Sequence, residues 1–304
     1  MKPLINSVEL VLFKGLLLLI KTIPKGLIHI VGSRFGMMLY YLGVRKSVVQ
    51  KNLQIAFGNE LSHVEIKKVF RQTYKNVGTL LFEFLKLNFI QPDEVKNYMD
   101  IEGLELIDTA IKAGKGVVLA GNHFGNWELF AAALAASGYP IHVYAGQQRN
   151  NLFDATLNQN RERFGMKTIS KSKTATIEMI KVLKKNGLLV LAGDLNVPHK
   201  KQFVNFFNKK ASIGQGLPLY TVKMKAPLFF LWSIRTGPFK HKGFIVPLEY
   251  TLTGVQSDDV SVVAQLISSK LEEIIREYPD QYFWLNKRWK TRPLDENQDI
   301  YSGN

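Results

Sequence analysis

From about Gly103 onward the chain alternates short apolar runs with helical stretches, and this alternation constrains the fold more than any other feature. Gly116–Ala120, Ile141–Ala145, Leu188–Ala192, Leu228–Ile234 and Phe244–Leu248 read as strands. Leu129–Ala136, Phe153–Phe164 and Thr174–Leu183 lie between them and read as helices, with a longer helix expected over Val260–Tyr278. Parallel strands need crossover connections, and helices supply them. The pattern therefore predicts an α/β fold, a mixed central sheet with flanking helices, as a catalytic domain over 93–304.

Residues 1–92 read differently. Val48, Leu53 and Phe57 recur at helical intervals, Glu65 stands three after Ser62 as a capping box opening a helix to Phe89, and Pro92 stops it. Before them Val8–Val31 is rich in Leu, Ile and Val but is broken by Glu9, Lys14, Lys21 and Lys25. A spanning helix wants about 20 nearly uncharged residues. The longest uncharged apolar run here, Gly15–Ile20, has six. The small-residue cleavage site of a secretory signal is also missing. An amphipathic helix in the membrane interface fits better, with Leu10, Phe13, Leu17 and Ile20 on its apolar side; a buried core helix is the competing reading. Residues 1–92 are thus expected to be a helical, membrane-associated region.

Forty Lys and Arg against 25 Asp and Glu leave +15, so an anionic partner is expected: a nucleic acid, a lipid surface or an acidic protein. The chain has no cysteine, which excludes disulfides, iron–sulfur clusters and a thiol nucleophile. Gly-x-Ser-x-Gly, the phosphate loop and Gly-x-Gly-x-x-Gly are absent too, so serine hydrolases, nucleoside triphosphatases and dinucleotide enzymes lose their usual support. Neither a metal nor a cofactor is expected.

One turn carries chemistry. After the strand ending at Ala120 the chain reads Gly121-Asn122-His123-Phe124-Gly125-Asn126-Trp127-Glu128 and then becomes helical. On a continuous helix positions five apart point about 140° away from each other. With His123 on the loop and Glu128 in the first helical turn, the carboxylate can fold back onto an imidazole nitrogen, orienting the ring and raising its basicity. Such a base takes a proton from a hydroxyl, and free N–H groups at the helix start can stabilise an oxyanion. The alternative is a histidine that only caps or packs at a strand end.

This His-x-x-x-x-Glu turn resembles the active-site motif of the bacterial lipid A late acyltransferases (lauroyl- and myristoyl-acyltransferase-like), a branch of the glycerophosphate-acyltransferase-like group. Pro279-Asp280-Gln281-Tyr282-Phe283-Trp284-Leu285-Asn286-Lys287-Arg288-Trp289-Lys290-Thr291-Arg292-Pro293 resembles the family's carboxy-terminal signature, and Asn52-Leu53-Gln54-Ile55-Ala56-Phe57 its amino-terminal one. Gly193-Asp194 resembles its Asp-containing loop, followed by the aromatic segment Phe203–Phe207; the likeness runs from about residue 45 to 293. In three places this chain departs from the family: Ala145 follows Tyr144 where many members carry Arg, Leu195 follows Asp194 in place of Gln or His, and Asn286 stands where His is common.

The resemblance implies O-acyl transfer from an acyl thioester, usually on acyl carrier protein, to a hydroxyl of a lipid A precursor, at the cytoplasmic face of the inner membrane. His123 would be the base and Glu128 its partner. Asn126, Arg149, Arg161, Arg163, Lys287, Arg288, Lys290 and Arg292 become candidate substrate contacts, and Asp194 would order the site or pair with an arginine. Phe203, Phe206 and Phe207 would line an acyl groove or belong to the core; Trp284 and Trp289 would sit at the membrane interface or pack. Within the class the alternative is another glycolipid or lysophospholipid acceptor, with acyl-coenzyme A as donor. Outside it stand a basic nucleic-acid-binding protein and a non-catalytic membrane-surface protein. No zinc-finger spacing, RNA-recognition signature or basic helix with heptads is present, so no nucleic-acid partner is expected.

Overall fold

A computed structural model describes residues 2–148, 150–199, 201–296 and 299–302, with side chains from Glu9 onward. Its centre is a seven-stranded sheet in the order β1-β9-β8-β2-β5-β3-β4. The strands are β1 (Met99–Glu102), β2 (Val117–Gly121), β3 (Ile141–Ala145), β4 (Lys167–Ser170), β5 (Leu188–Ala192), β8 (Leu228–Gly237) and β9 (Lys240–Pro247). A separate antiparallel hairpin joins β6 (Lys201–Phe206) to β7 (Lys209–Gly214). Strands β8, β2, β5, β3 and β4 run parallel, whereas β9 runs antiparallel to β8 and parallel to β1. The fold is therefore a mixed, mostly parallel α/β sheet with helices against it. Central strands covered on both faces read as unbroken apolar runs, which is how β2 (Val-Val-Leu-Ala-Gly) and β5 (Leu-Leu-Val-Leu-Ala) are written.

All five expected strands are present, β8 and β9 longer than their apolar runs. The four expected helices are α6 (Trp127–Ala136), α7 (Asn151–Arg163), α8 (Ala175–Lys184) and α10 (Gln256–Glu277). Two further helices, α5 (Leu104–Lys112) and α9 (Gly216–Met224), and strands β1, β4, β6 and β7 complete the fold beyond the expected elements.

Ahead of the sheet come α1 (Lys2–Thr22), α2 (Ile28–Tyr41), α3 (Lys46–Phe57) and α4 (His63–Lys86). Ser62 and Glu65 form the capping box of α4. The side of α1 expected to enter a membrane packs instead on protein: Phe13 and Leu17 lie against the core and Ile20 is fully buried. The opposite side is apolar as well and exposed, at Val11, Leu12, Leu18 and Leu19. Spacing thus identified the inner face, and the buried-helix reading holds for it. Buried Lys86 of α4 fastens its end, donating to the carbonyls of Ile20 and Lys21 at 3.0 Å and Ile23 at 2.6 Å. Unpaired carbonyls at a helix end are favourable partners for a cation. Among the described residues no single helix is long and apolar enough to cross a membrane.

Helices α2 and α4 approach until their backbones touch. Gly32 and Gly36, one turn apart, face Gly78, and a methyl at Gly36 would lie 1.9 Å from the Tyr74 carbonyl oxygen. Gly36→Ala is therefore expected to push the helices apart and destabilise the protein by about 1–3 kcal/mol. Gly15→Ala, whose methyl meets nothing within 4 Å, should melt no lower than the unaltered protein in thermal unfolding.

Candidate active site

Parallel register builds the site. Strands β2 and β5 are neighbours, with Gly121 opposite Ala192, so His123 and Asp194 each stand two residues beyond a paired position at the carboxyl end of the sheet. Open α/β sheets bind ligands outside these strand ends. The Asp194 carboxylate takes two hydrogen bonds from His123: the backbone N–H donates at 2.9 Å, and Nδ1 lies 2.9 Å from Oδ1. Asp194 is 1% exposed and the His123 side chain 22%, so the ring is held from the inside and open on its other edge.

Burial pushes the His123 ring towards neutrality, but Asp194 beside Nδ1, helped by the nearby Glu128 charge, outweighs it and raises the ring above its ordinary value. Burial likewise pushes the Asp194 carboxyl up, and His123, with Arg288 behind it, holds it below the usual carboxylate value. An imidazole with Nδ1–H on a carboxylate presents Nε2 as the base. The Trp127 ring stands edge-on to the imidazole at 4.7 Å, with Phe283 at 6.4 Å, so the ring opens into an apolar surround.

Glu128 does not make the expected contact with His123. It sits in the first turn of α6, buried, and takes a two-pronged pairing from Arg161 of α7, with Nε at 3.0 Å from Oε2 and Nη2 on Oε1. The reason is geometric: Asp194 already occupies Nδ1, and Trp127 stands against the ring. Forked arginine–carboxylate pairing satisfies both buried charges.

The other expected contacts divide by burial. Asn126 is fully buried, and its Oδ1 caps α6 by accepting from Leu129 N–H at 3.0 Å. Arg161 is buried on Glu128, and Arg163 donates to the carbonyls of Leu87 and Ile90. Arg288 is 1% exposed, donates to the Ser212 carbonyl at 2.6 Å and lies 5.0 Å over the Phe206 ring. Lys287 lies 5.4 Å over the Tyr301 ring, Arg292 donates to the Lys210 carbonyl, and Lys290 is exposed. Arg149 lies outside the described residues. Phe206 and Phe207 are core residues packed against Trp289 and Trp284, both tryptophans being wholly buried rather than at an interface; Phe203 is half-buried beneath Lys201.

The carboxy-terminal segment braces the His123 turn from outside. Phe283 N–H donates to the His123 carbonyl and Gly125 N–H to the Gln281 carbonyl, each at 3.0 Å. Gly125 has φ +60°, and a Cβ there would fall 1.8 Å from the Ser233 carbonyl oxygen, so only glycine fits. Asn52 of α3 in turn donates to the carbonyls of Trp284 and Asn286, both at 2.7 Å. Glu83, Ser233 and Arg235, which touch this turn or its neighbours, carry no motif. One signal was present: Glu83 is the lone charge within Leu80-Leu81-Phe82-Glu83-Phe84-Leu85.

The site thus has a buried carboxylate, an oriented imidazole and apolar walls at the end of a parallel sheet, and comparison gives its class. The family model described as bacterial lipid A biosynthesis acyltransferase matches residues 5–291. The lipid A biosynthesis palmitoleoyltransferase of Escherichia coli K12 is 25% identical over 287 residues, covering 93% of this chain and 91% of that one. The lauroyltransferase of the same organism is 26% identical, covering 92% and 90%, and its myristoyltransferase 22%, covering 88% and 81%. This chain is an acyltransferase. It belongs to the bacterial lipid A biosynthesis acyltransferase family.

Exchanging Asp194 for Asn removes the charge that stabilises the imidazolium. Because that charge raises the His123 value, its loss should move the acid limb of kcat/KM to lower pH while kcat falls by about 10²–10⁴-fold. Glu128→Gln, acting on Arg161 rather than Nδ1, should shift the limb less and lower thermal stability more, as pH–rate profiles and melting curves of the two variants will report.

Proposed function

We propose that this acyltransferase moves a fatty-acyl chain from a thioester on acyl carrier protein to a hydroxyl of a lipid A precursor, at the cytoplasmic face of the inner membrane. The observation that carries the mechanism is the double hold of Asp194 on His123, through the backbone N–H and Nδ1. His123 Nε2 takes the proton of the acceptor hydroxyl as its oxygen attacks the thioester carbonyl carbon. The imidazolium, stabilised by Asp194, then returns the proton to the departing thiolate as the carbon–sulfur bond breaks. No covalent enzyme intermediate is required. Glu128 takes no proton in this scheme; with Arg161 it fixes α6 against α7.

The acceptor follows from the family and its relatives, all named for lipid A biosynthesis. Association with the membrane is supported by two exposed apolar strips, Val11, Leu12, Leu18 and Leu19 on α1 and Leu27, Ile30, Met38, Tyr41 and Leu42 along and beside α2. Exposed Lys14, Lys21, Arg34 and Arg45 stand among them, as a surface facing anionic headgroups requires. The +15 net charge supports an acidic carrier protein as donor.

His123→Ala should abolish transfer from acylated carrier protein to a lipid A precursor, followed by mass spectrometry, while the protein stays folded and vesicle-bound. Undiminished transfer would refute the base assignment. For the unaltered enzyme, KM for the carrier-bound donor should rise with ionic strength, since exposed charges are screened over about 8 Å at physiological salt. A KM indifferent to salt, with equal use of acyl-coenzyme A, would overturn the carrier.

A further inference from the structure

Glu83 lies on α4, far from the catalytic turn in sequence and in direct contact with it in space. Its side chain has no exposure. The Arg235 guanidinium, at the end of β8, grips both oxygens, with Nε 3.1 Å from Oε1 and Nη2 2.9 Å from Oε2. The His241 ring lies 3.3 Å away on the other side. The remaining hydrogen bond comes from the turn itself: Asn126 Nδ2 donates to Oε2 at 2.9 Å.

Leaving a carboxylate in a protein interior costs several kcal/mol unless it is paired and hydrogen-bonded. Burial pushes the Glu83 carboxyl up, yet Arg235 and His241 hold it far below the usual carboxylate value. An apolar pair would have filled this space at less cost, so the charge is explained by what it holds.

Asn126 is the joint. Its Oδ1 caps α6, its backbone N–H donates to Ser233 Oγ at 3.1 Å, and its Nδ2 reaches Glu83. The next residue on each element repeats the contact in apolar form: Phe84 of α4 stands edge-on to Trp127 at 5.2 Å, and Trp127 stands against the His123 ring. Arg235 extends the hold outward, its N–H donating to Gln281 Oε1 at 2.8 Å and its Nη1 to Asn76 Oδ1 at 3.2 Å. Gln281 is the residue whose carbonyl accepts from Gly125.

We infer that Glu83, fixed by Arg235, is a positioning residue for acyl transfer: with Phe84 it sets Asn126 and Trp127, and through them the plane in which His123 presents Nε2. The inference rests on the assignment of His123 as base. Asp194 fixes one edge of the imidazole; the α4 pair fixes its face. The effect falls on kcat, because the geometry at stake is that of proton transfer rather than of donor binding.

The decisive variant is Asn126→Ser, since serine caps a helix as well as asparagine but cannot reach Glu83. It should stay folded but melt a few degrees lower, since a bond to a buried carboxylate is lost, lower kcat by about 10- to 100-fold and leave KM for the donor nearly unchanged. Glu83→Gln should lower kcat by a similar factor, and the double variant should be no slower than the slower single one. Should Glu83→Gln fail to fold, Asn126→Ser alone decides. A parallel arm needs no substrate: the proton NMR signal of His123 Hε1, assigned by its loss in His123→Ala, should shift in Asn126→Ser because the Trp127 ring current over it changes. A shifted signal in a protein with no acyl-transfer activity would keep the positioning role and refute the proposed reaction. Full kcat and an unmoved Hε1 signal in Asn126→Ser would overturn the positioning role, as would losses that add in the double variant.

Discussion

Parallel pairing of β2 with β5 is the constraint on which the rest of the site depends. Because Gly121 stands opposite Ala192, two loops leave the sheet side by side and deliver His123 and Asp194 to the same height. A shift of one residue would turn the alternating side chains of β5 to the other face and take Asp194 away from the ring. Because β2 and β5 are apolar on both faces, alternation does not set this register, and the close packing of their individual side chains holds it. The geometry of the proposed site is thereby inherited from core packing.

The three motif segments, distant in sequence, form one object. The catalytic turn bonds to the carboxy-terminal segment through His123, Gly125, Gln281 and Phe283, and that segment bonds to Asn52 through the carbonyls of Trp284 and Asn286. Arg288 in the same segment lies behind Asp194 and favours its ionised form. Most charged residues of these segments are therefore internal and spend their hydrogen bonds on the protein. The exposed charges lie elsewhere, on the outer faces of helices such as α1 and α2, where the proposed function needs them.

Much of the sheet was legible because buried parallel strands must be continuous apolar runs, and β2 and β5 are written that way. Strands β1 and β4, at the two edges of the sheet, and the β6–β7 hairpin are short and polar, so their existence follows from pairing partners rather than from their own composition. His123 was legible as a strand-end histidine between glycines. The expected contact with Glu128, the nearest carboxylate along the chain, is made instead by Asp194, which strand order brings to Nδ1, while Glu128 acts on the ring only through its charge. For Arg161 and Arg163, which residue each would meet depended on how α7 lies against α6 and the end of α4. For α1, spacing picked out the face that is buried, Phe13, Leu17 and Ile20, but not whether protein or lipid would cover it, because apolar residues lie on the opposite side too.

The central claim is that Asp194 holds His123 with Nδ1 protonated and Nε2 free to accept. Nitrogen-15 NMR of the ring reads this directly, since the two nitrogens of a neutral imidazole resonate far apart according to which carries the proton. Above the pH at which the ring loses its charge, the account predicts a protonated Nδ1 bonded to carboxylate and an unprotonated Nε2. A ring protonated at Nε2, or one whose tautomers are unchanged by Asp194→Asn, would contradict it.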